Sequence, residues 1–334
     1  MRILSADIGG TRARFQFAEY KDNHLNVLAV KRYASKDYNS ILTLIEKFME
    51  AINEPIKSID VACFAVAGPI VEGQVQLTNL PWGIDEKEVS SAFNIEKVRL
   101  INDFSAVGYG IEAIQPENLY KLQKGLPQEH GSKAIIGAGT GLGMAIMHWN
   151  GHRYSVLGTE GGHADFAPTD EAQMELLQYL RKKYHRVSTE RVLSGRGLVH
   201  IYKFVRDNPI LNEKENPKLK YEMATHDSAA IISEYASKHK DPLAMRAMSM
   251  FVKVYAAQVG NLALMTLPFG GLYIAGGIAP KILVQLTNGI FMEHYGDKGR
   301  MSQLLTRIPL SIILDQDVEL KGAAMYAAYI YEGV

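Results

Sequence analysis

With 334 residues, 47% of them hydrophobic and 22% charged, the chain can bury the cores of two domains or of one large one, and it is too apolar for a disordered polypeptide. Thirty-six Lys and Arg balance thirty-six Asp and Glu, and no long basic run occurs, so the electrostatic footprint of a nucleic-acid binder is missing. The single cysteine, Cys63, excludes an internal disulfide framework and a multi-cysteine zinc site, and it suits a reducing, cytoplasmic setting.

Arg2–Asp7 reads as an apolar strand with no basic, apolar leader before it, so no secretion signal is expected. Gly9-Gly10-Thr11 is a turn, Ala13–Ala18 the returning strand and Val27–Tyr33 a third strand. Ile41, Leu44, Ile45, Phe48 and Ile52 recur at helical spacing. Val61–Ala67, with Cys63 as a small core residue, lacks polar alternation, as a strand covered on both faces does. Val98–Ile101 is another strand and Phe104–Ala113 a helix. A second α/β section opens with the strand Lys133–Gly137, which runs into Gly137-Ala138-Gly139-Thr140-Gly141-Leu142-Gly143 and on into a strand at Met144–Met147. Helices are expected at Glu171–Lys183, Thr189–Leu193, Leu198–Val205, Ser228–Ser237 and Pro242–Met265, strands at Leu272–Ala275 and Leu310–Leu314, and a helix at Leu320–Tyr331. The polar stretch Asn208–Lys220 reads as a surface loop. From Lys253 to Lys281 no side chain is charged, long enough to cross a bilayer. Gln258, Asn261, Pro268 and paired glycines interrupt it, which predicts a buried helix, a turn and a buried strand ending in Gly276-Gly277, not a membrane span. The two glycine-rich strand–turn–strand units lie about 130 residues apart, each opening an α/β section, which suggests two related domains without a detectable repeat.

Five segments carry chemistry. Asp7 ends a buried strand; Ile8, Gly9, Gly10 and Thr11 follow at a hairpin tip where glycines permit positive φ and backbone amides can hold phosphate oxygens. Asp7 could hold Mg2+ through water, since that ion keeps several waters and few carboxylates; the alternative is an ordinary hairpin with a turn-capping aspartate. Gly139-Thr140-Gly141 places a hydroxyl donor among glycines after a buried strand, which favours phosphate binding over a flexible turn. Asn102-Asp103 stands between a strand and a helix, where open α/β sheets bind ligands, although Asp103 could equally cap the helix. Glu160 and His163 lie in the Gly-rich loop Gly158–Asp165, where side chains can converge on a small polar ligand; a metal site from His163 and Asp165 lacks a further His or Cys at useful spacing. Glu190, taken alone, is a first-turn acid favoured by a helix dipole. A P-loop is excluded because its lysine is missing, and a dinucleotide fingerprint because Leu142 and Met144 stand where its last glycine belongs.

In combination these segments resemble the sugar kinase branch of the actin, heat-shock-70 and hexokinase superfamily, and within it the bacterial glucokinase family. Asp7–Thr11 is similar to its first phosphate motif, Gly137–Gly143 to its second, Gly276-Gly277-Ile278 to its adenosine motif and Gly322-Ala323-Ala324 to the small-residue motif where helices cross. Leu100–Phe104, Glu160–Pro168 and Glu190–Gly195 match the family's own segments, so the resemblance spans the chain. Arg12 departs from the pattern, which has Asn there, and could approach a phosphate or point to solvent. With Cys63 alone the chain also departs from the related repressor and kinase group, which carries a cysteine zinc cluster.

The resemblance implies an α/β, two-domain actin-like ATPase (ribonuclease H-like) fold with an interdomain cleft, residues 1–113 plus 316–334 forming a small domain and 114–315 a large one. It implies ATP-dependent phosphorylation of D-glucose at the 6-hydroxyl in the first step of glycolysis, with Asp103 as catalytic base and Mg2+ held by Asp7. Asn102, Asp103, Glu160, His163 and Glu190 would bind the sugar; Asp7, Ile8, Gly9, Gly10, Thr11, Gly139, Thr140, Gly141, Gly276 and Gly277 would bind ATP. The cleft would shut before chemistry to keep water from the γ-phosphate. A cytoplasmic homodimer with no nucleic-acid or membrane partner is expected. The alternatives are a kinase for fructose, mannose or an amino sugar, a nucleotide-driven binding protein of the actin type, and a sugar-sensing regulator; polyphosphate or ADP could replace ATP as donor.

Overall fold

Strands of the N-terminal region are β1 (Arg2–Ile8), β2 (Arg12–Lys21), β3 (His24–Ala34), β4 (Val61–Val66), β5 (Gln74–Gln76), β6 (Gly83–Asp85) and β7 (Lys97–Asn102) in the computed structural model, which describes residues 1–22, 24–77, 80–208 and 213–333. Five of them form a sheet in the order β3-β2-β1-β4-β7. The first three are an antiparallel meander, and β4 and β7 run parallel to β1. Every residue of β4 is buried, as its unbroken apolar run predicts, because helices cover both sheet faces. Leu4, Phe15, Phe64 and Val66 pack on one face with Ile41, Leu44, Ile45 and Phe48 of the helix Ile41–Ala51. Ile3, Val61, Cys63 and Ala65 pack on the other with Ala106 and with Ala323, Ala324, Ala327 and Ala328 of the helix Val318–Glu332. That C-terminal helix crosses the helix Asp103–Gly110 with backbones in contact: a Cβ added at Gly322 would stand 1.7 Å from the Ala106 carbonyl oxygen, so only glycine fits.

Six further strands form the second sheet: β8 (Leu119–Gln123), β9 (Lys133–Ala138), β10 (Leu142–Trp149), β11 (Tyr154–Thr159), β12 (Gly271–Ala275) and β13 (Leu310–Ile313), in the order β11-β10-β9-β12-β13-β8. The long helix Pro242–Thr266, fronted by the helices Gly195–Asp207 and Ser228–Glu234, supplies much of the core around it. The chain divides into two compact units, Met1–Asn118 with Val156–Gly158 and Asp315–Val334, and Leu119–Ser155 with Thr159–Leu314.

The uncharged stretch before Lys281 is helix to Thr266, a turn, and strand Gly271–Ala275, and no described helix is long and apolar enough to cross a membrane. Three expectations need correcting. The helix expected at 189–193 is a single 3-10 turn, Thr189–Arg191, whose following residues are drawn off toward the Ser194 cap of the next helix. The helix expected over 228–237 keeps α geometry only to Glu234 and widens into a π turn at Tyr235–His239. The loop expected at 208–220 lies outside the described residues over 209–212, and from Pro217 it is a helix capped by Asn216, whose side chain accepts from the Lys218 amide.

Candidate functional site

Within the first unit the hairpin after β1 is closed by the Gly9 amide, which donates to the Arg12 carbonyl at 2.9 Å. The Ser35 hydroxyl donates to the Gly9 carbonyl at 2.8 Å and the Ser35 amide to the Thr11 carbonyl at 3.1 Å, which fixes the tip against the end of β3. Neither Gly9 nor Gly10 adopts positive φ, so the expected use of that freedom is not made; the tip closes with ordinary dihedrals. Arg12 is exposed at the start of β2.

Asp7 stands opposite Arg14 in the β1–β2 register. Nε and Nη2 of Arg14 donate to Asp7 Oδ2 at 3.1 and 2.8 Å. The same guanidinium reaches Asp317 Oδ1 at 3.1 Å, Glu319 Oε2 at 3.0 Å and the Gln316 carbonyl. Burial would lower the Arg14 pKa, but the charges of Asp7 and Glu319 outweigh it and hold it above the ordinary arginine value. Burial, reinforced by the Asp7 charge, pushes the Glu319 carboxyl up, and Arg14 opposes that shift. Sequence reasoning missed this cluster because Asp317 and Glu319 lie some three hundred positions from Arg14 in the chain.

At the end of β7 the Asn102 side chain is the helix cap, accepting from the Phe104 amide at 2.9 Å and the Ser105 amide at 3.2 Å. The alternative of Asp103 as cap is thereby settled in favour of Asn102. Asp103 is the first helical residue, and its Oδ1 accepts from the Phe104 amide at 2.8 Å.

In the second unit the glycine loop after β9 folds on itself, the Gly139 amide donating to the Gly141 carbonyl and the Gly195 amide to the Gly139 carbonyl, both at 2.8 Å. Gly276, at the end of β12, has φ +83°, and a Cβ there would lie 2.6 Å from the Ala138 carbonyl oxygen. The two glycine segments therefore meet, and with the start of the helix Gly195–Asp207 they frame a cavity of about 600 Å3. Gly139, Thr140, Gly195, Arg196, Asp227, Ser228, Gly277, Ile278 and Lys281 are among its walls. Arg196, Asp227 and Lys281 carried no sequence signal as single polar residues; only the fold gathers them.

Glu190 is a first-turn acid of the short Thr189–Arg191 element, and its Oε2 accepts from the Leu142 amide at 3.0 Å, tying that turn to the far side of the glycine loop. Glu160 and His163 are neighbours, with Oε2 and Nε2 3.7 Å apart and both side chains well exposed. Their loop is laced to the Glu190 turn by the Thr189 amide to the Ala164 carbonyl at 2.8 Å and the Phe166 amide to the Val187 carbonyl at 3.0 Å. Asp165 pairs with Arg186 at 2.6 Å, and both side chains are exposed. Among the described residues no group of three or more His, Cys, Asp or Glu could hold a metal.

A family model for glucokinase matches residues 4–330. The glucokinase of Nostoc punctiforme is 43% identical over 338 residues, covering 98% of each chain. The crystal structure of a glucokinase from an Antarctic psychrotroph is 32% identical with a TM-score of 0.85, again over 98% of each chain. A ROK family glucokinase from Streptomyces griseus, solved with glucose and AMPPNP, shares the fold at a TM-score of 0.63 and 18% identity, covering 98% of this chain and 99% of that one. The molecule is thus a sugar kinase on the actin-like ATPase fold. More narrowly, the chain belongs to the glucokinase family, hexose kinases that convert glucose to glucose 6-phosphate.

Proposed function

We propose that the phosphoryl donor is ATP, bound in the cavity framed by Gly139-Thr140-Gly141 and Gly276-Gly277, and that Asp103 is the base for the glucose 6-hydroxyl. The observation that carries this is the cavity itself: two glycine segments more than a hundred residues apart close one nucleotide-sized space of about 600 Å3. The Thr140 hydroxyl and the amides of Gly9, Gly10 and Thr11, with Asp7 and Ile8, serve the phosphates. Asn102, Asp103, Glu160, His163 and Glu190 bind the sugar. Carboxylates accept from adjacent hydroxyls, and Asn and His supply mixed donors and acceptors. Such a site rejects an epimer because its own polar groups are then left unpaired.

The 6-hydroxyl attacks the γ-phosphorus in line, the bond from that phosphorus to the β,γ-bridging oxygen breaks so that ADP leaves, and Asp103 takes the hydroxyl proton. The transition state is loose, so positioning and charge stabilisation exceed proton removal in importance. The donor set fits Mg2+: both Arg14 bonds to Asp7 fall on Oδ2, and one hard carboxylate is the protein share such an ion needs beside water and phosphates. Bound there, Mg2+ would offset phosphate charge. The reading includes a homodimer in the cytoplasm, in keeping with one buried cysteine. A coupled assay for glucose 6-phosphate with ATP and Mg2+ tests it across hexoses and donors. Asp103→Ala is expected to lower turnover by at least about 10²-fold while the fold survives; near-normal turnover removes Asp103 from the role.

A further inference from the structure

We propose that Arg14 is a positioning residue for phosphoryl transfer. It pins Asp7 and the start of the C-terminal helix to one another, and through that helix it sets the register of the helix that begins at Asp103. The inference rests on the reading of Asp7 and Asp103 given above and adds a residue to which that reading assigns no role.

Three layers of contact form the path, all within the first unit. The first is the guanidinium, whose planar fork donates to Asp7 on one side and to Gln316, Asp317 and Glu319 on the other. Lysine, a point charge on a flexible stem, cannot hold these acceptors in one geometry. The second is Gln16, two residues along β2 and buried. Its Nε2 lies 3.2 Å from Ser5 Oγ on β1 and 3.5 Å from the Leu320 carbonyl oxygen on the C-terminal helix. The third is the crossing itself. A Cβ at Gly322 would meet the Ala106 carbonyl oxygen at 1.7 Å, and one at Gly110 the Val318 carbonyl oxygen at 2.3 Å. Backbone against backbone leaves no compliant side chain to absorb a shift, so displacement at Glu319 is passed to the helix carrying Asp103.

An exposed ion pair contributes little and would be dispensable. This one differs in two respects: the Arg14 side chain is 18% exposed, and losing it leaves Asp7 and Glu319 without their cation while Asp317 keeps only Arg32 at 3.8 Å.

The test uses the full chain with Arg14→Met, Arg14→Lys, Glu319→Ala and Glu319→Gln. Arg14→Met is expected to lower kcat about 10²-fold with KM for glucose little changed, since a displacement near 1 Å can cost that much. Arg14→Lys keeps the charge and still loses most of the rate. Glu319→Gln, which keeps an oxygen for Arg14, retains most of the turnover that Glu319→Ala loses. Hydrogen exchange at amides 103–110 and 317–322 should quicken in Arg14→Met and Glu319→Ala but not in Glu319→Gln. If Arg14→Met does not fold, the Glu319 pair carries the test. Full activity in Arg14→Lys, equal loss in both Glu319 variants, or lost rate with unchanged exchange each overturns the proposal. An inactive Asp103→Ala alongside a fully active Arg14→Met sinks this inference alone; a fully active Asp103→Ala sinks the underlying reading as well.

Discussion

Gly322→Ala probes the helix crossing with a single methyl group. The new Cβ would lie 1.7 Å from the Ala106 carbonyl oxygen, 2.6 Å from its carbon and 2.7 Å from the Gly110 nitrogen. Real Cβ contacts do not fall below 3.0 Å, so the C-terminal helix and the helix Asp103–Gly110 must part by at least 1.3 Å. Alanine returns about 1 kcal/mol of helix propensity, whereas overpacking a close contact costs roughly 1–3 kcal/mol or more. With backbone on both sides of the clash the upper end of that cost applies, and the net expectation is a loss of about 2 kcal/mol or more, seen as a melting point several degrees lower. Turnover should suffer more than stability, because the helix that moves begins at Asp103, and a displacement of about 1 Å can cost on the order of 10²-fold. Calorimetry and the coupled glucose 6-phosphate assay, run well below the melting point, read the two effects. Gly296→Ala is the control, since nothing lies within 4 Å of a Cβ there. A Gly322→Ala protein with wild-type melting and wild-type kcat would show that the crossing has slack, and the reasoning would be wrong.

Arg196→Gln and Lys281→Gln remove cations from the wall of the cavity proposed to take ATP. Each is expected to raise KM for ATP by about tenfold and to steepen no salt dependence, with KM for glucose unaffected; steady-state kinetics at several ionic strengths checks this, and an unchanged KM for ATP places both cations in solvent. His200 offers a pH test. Its Nδ1 lies 2.8 Å from the Arg191 carbonyl oxygen and so donates, leaving Nε2 to accept from the Tyr184 hydroxyl at 3.1 Å. Burial, helped by the charges of Lys183, Lys203 and Arg191, lowers its pKa below the ordinary value of 6.5. The unfolded chain therefore takes up the proton first as pH falls, so this contribution to stability is whole above about pH 6.5 and declines below it. Melting points from pH 5 to 8 should fall more steeply on the acid side in the wild type than in His200→Gln; parallel curves would refute the assignment.

Periodicity made the long elements legible. Ile41 through Phe48 at helical spacing and the unbroken run of β4 each correspond to one continuous element with one or two buried faces. The glycine segments were legible as well, because glycine recurring after a buried strand has few other uses. Short elements were not: β5 and β6 hold three residues each, too few for a period to show, and β11, as long as β4, breaks its apolar run with Ser155, Gly158 and Thr159. The helix Glu86–Phe93 is mostly polar, and its one clear marker is the Asp85 cap, which accepts from the amides of Lys87 and Glu88. At the candidate site, the residue types of Asn102 and Glu190 were visible but not their partners. Asn102 takes the cap that Asp103 was in contention for, and Glu190 binds the Leu142 amide, forty-eight positions away. Which polar side chain satisfies which distant amide follows from packing, and no local spacing encodes it.

The first unit draws on three stretches of chain, the last of which, Asp315–Val334, follows all of the second unit. During synthesis, β1 to β7 and the helix at Asp103 leave the ribosome well before Val318–Glu332, the helix that covers one face of their sheet. Until that helix arrives, Ile3, Val61, Cys63 and Ala65 have only the helix at Asp103 beside them on that side, while the second unit already has all the residues it needs. The unit begun first is therefore completed last. A stalled chain lacking residues 315–334 would present a half-covered apolar sheet face to chaperones or to other nascent chains.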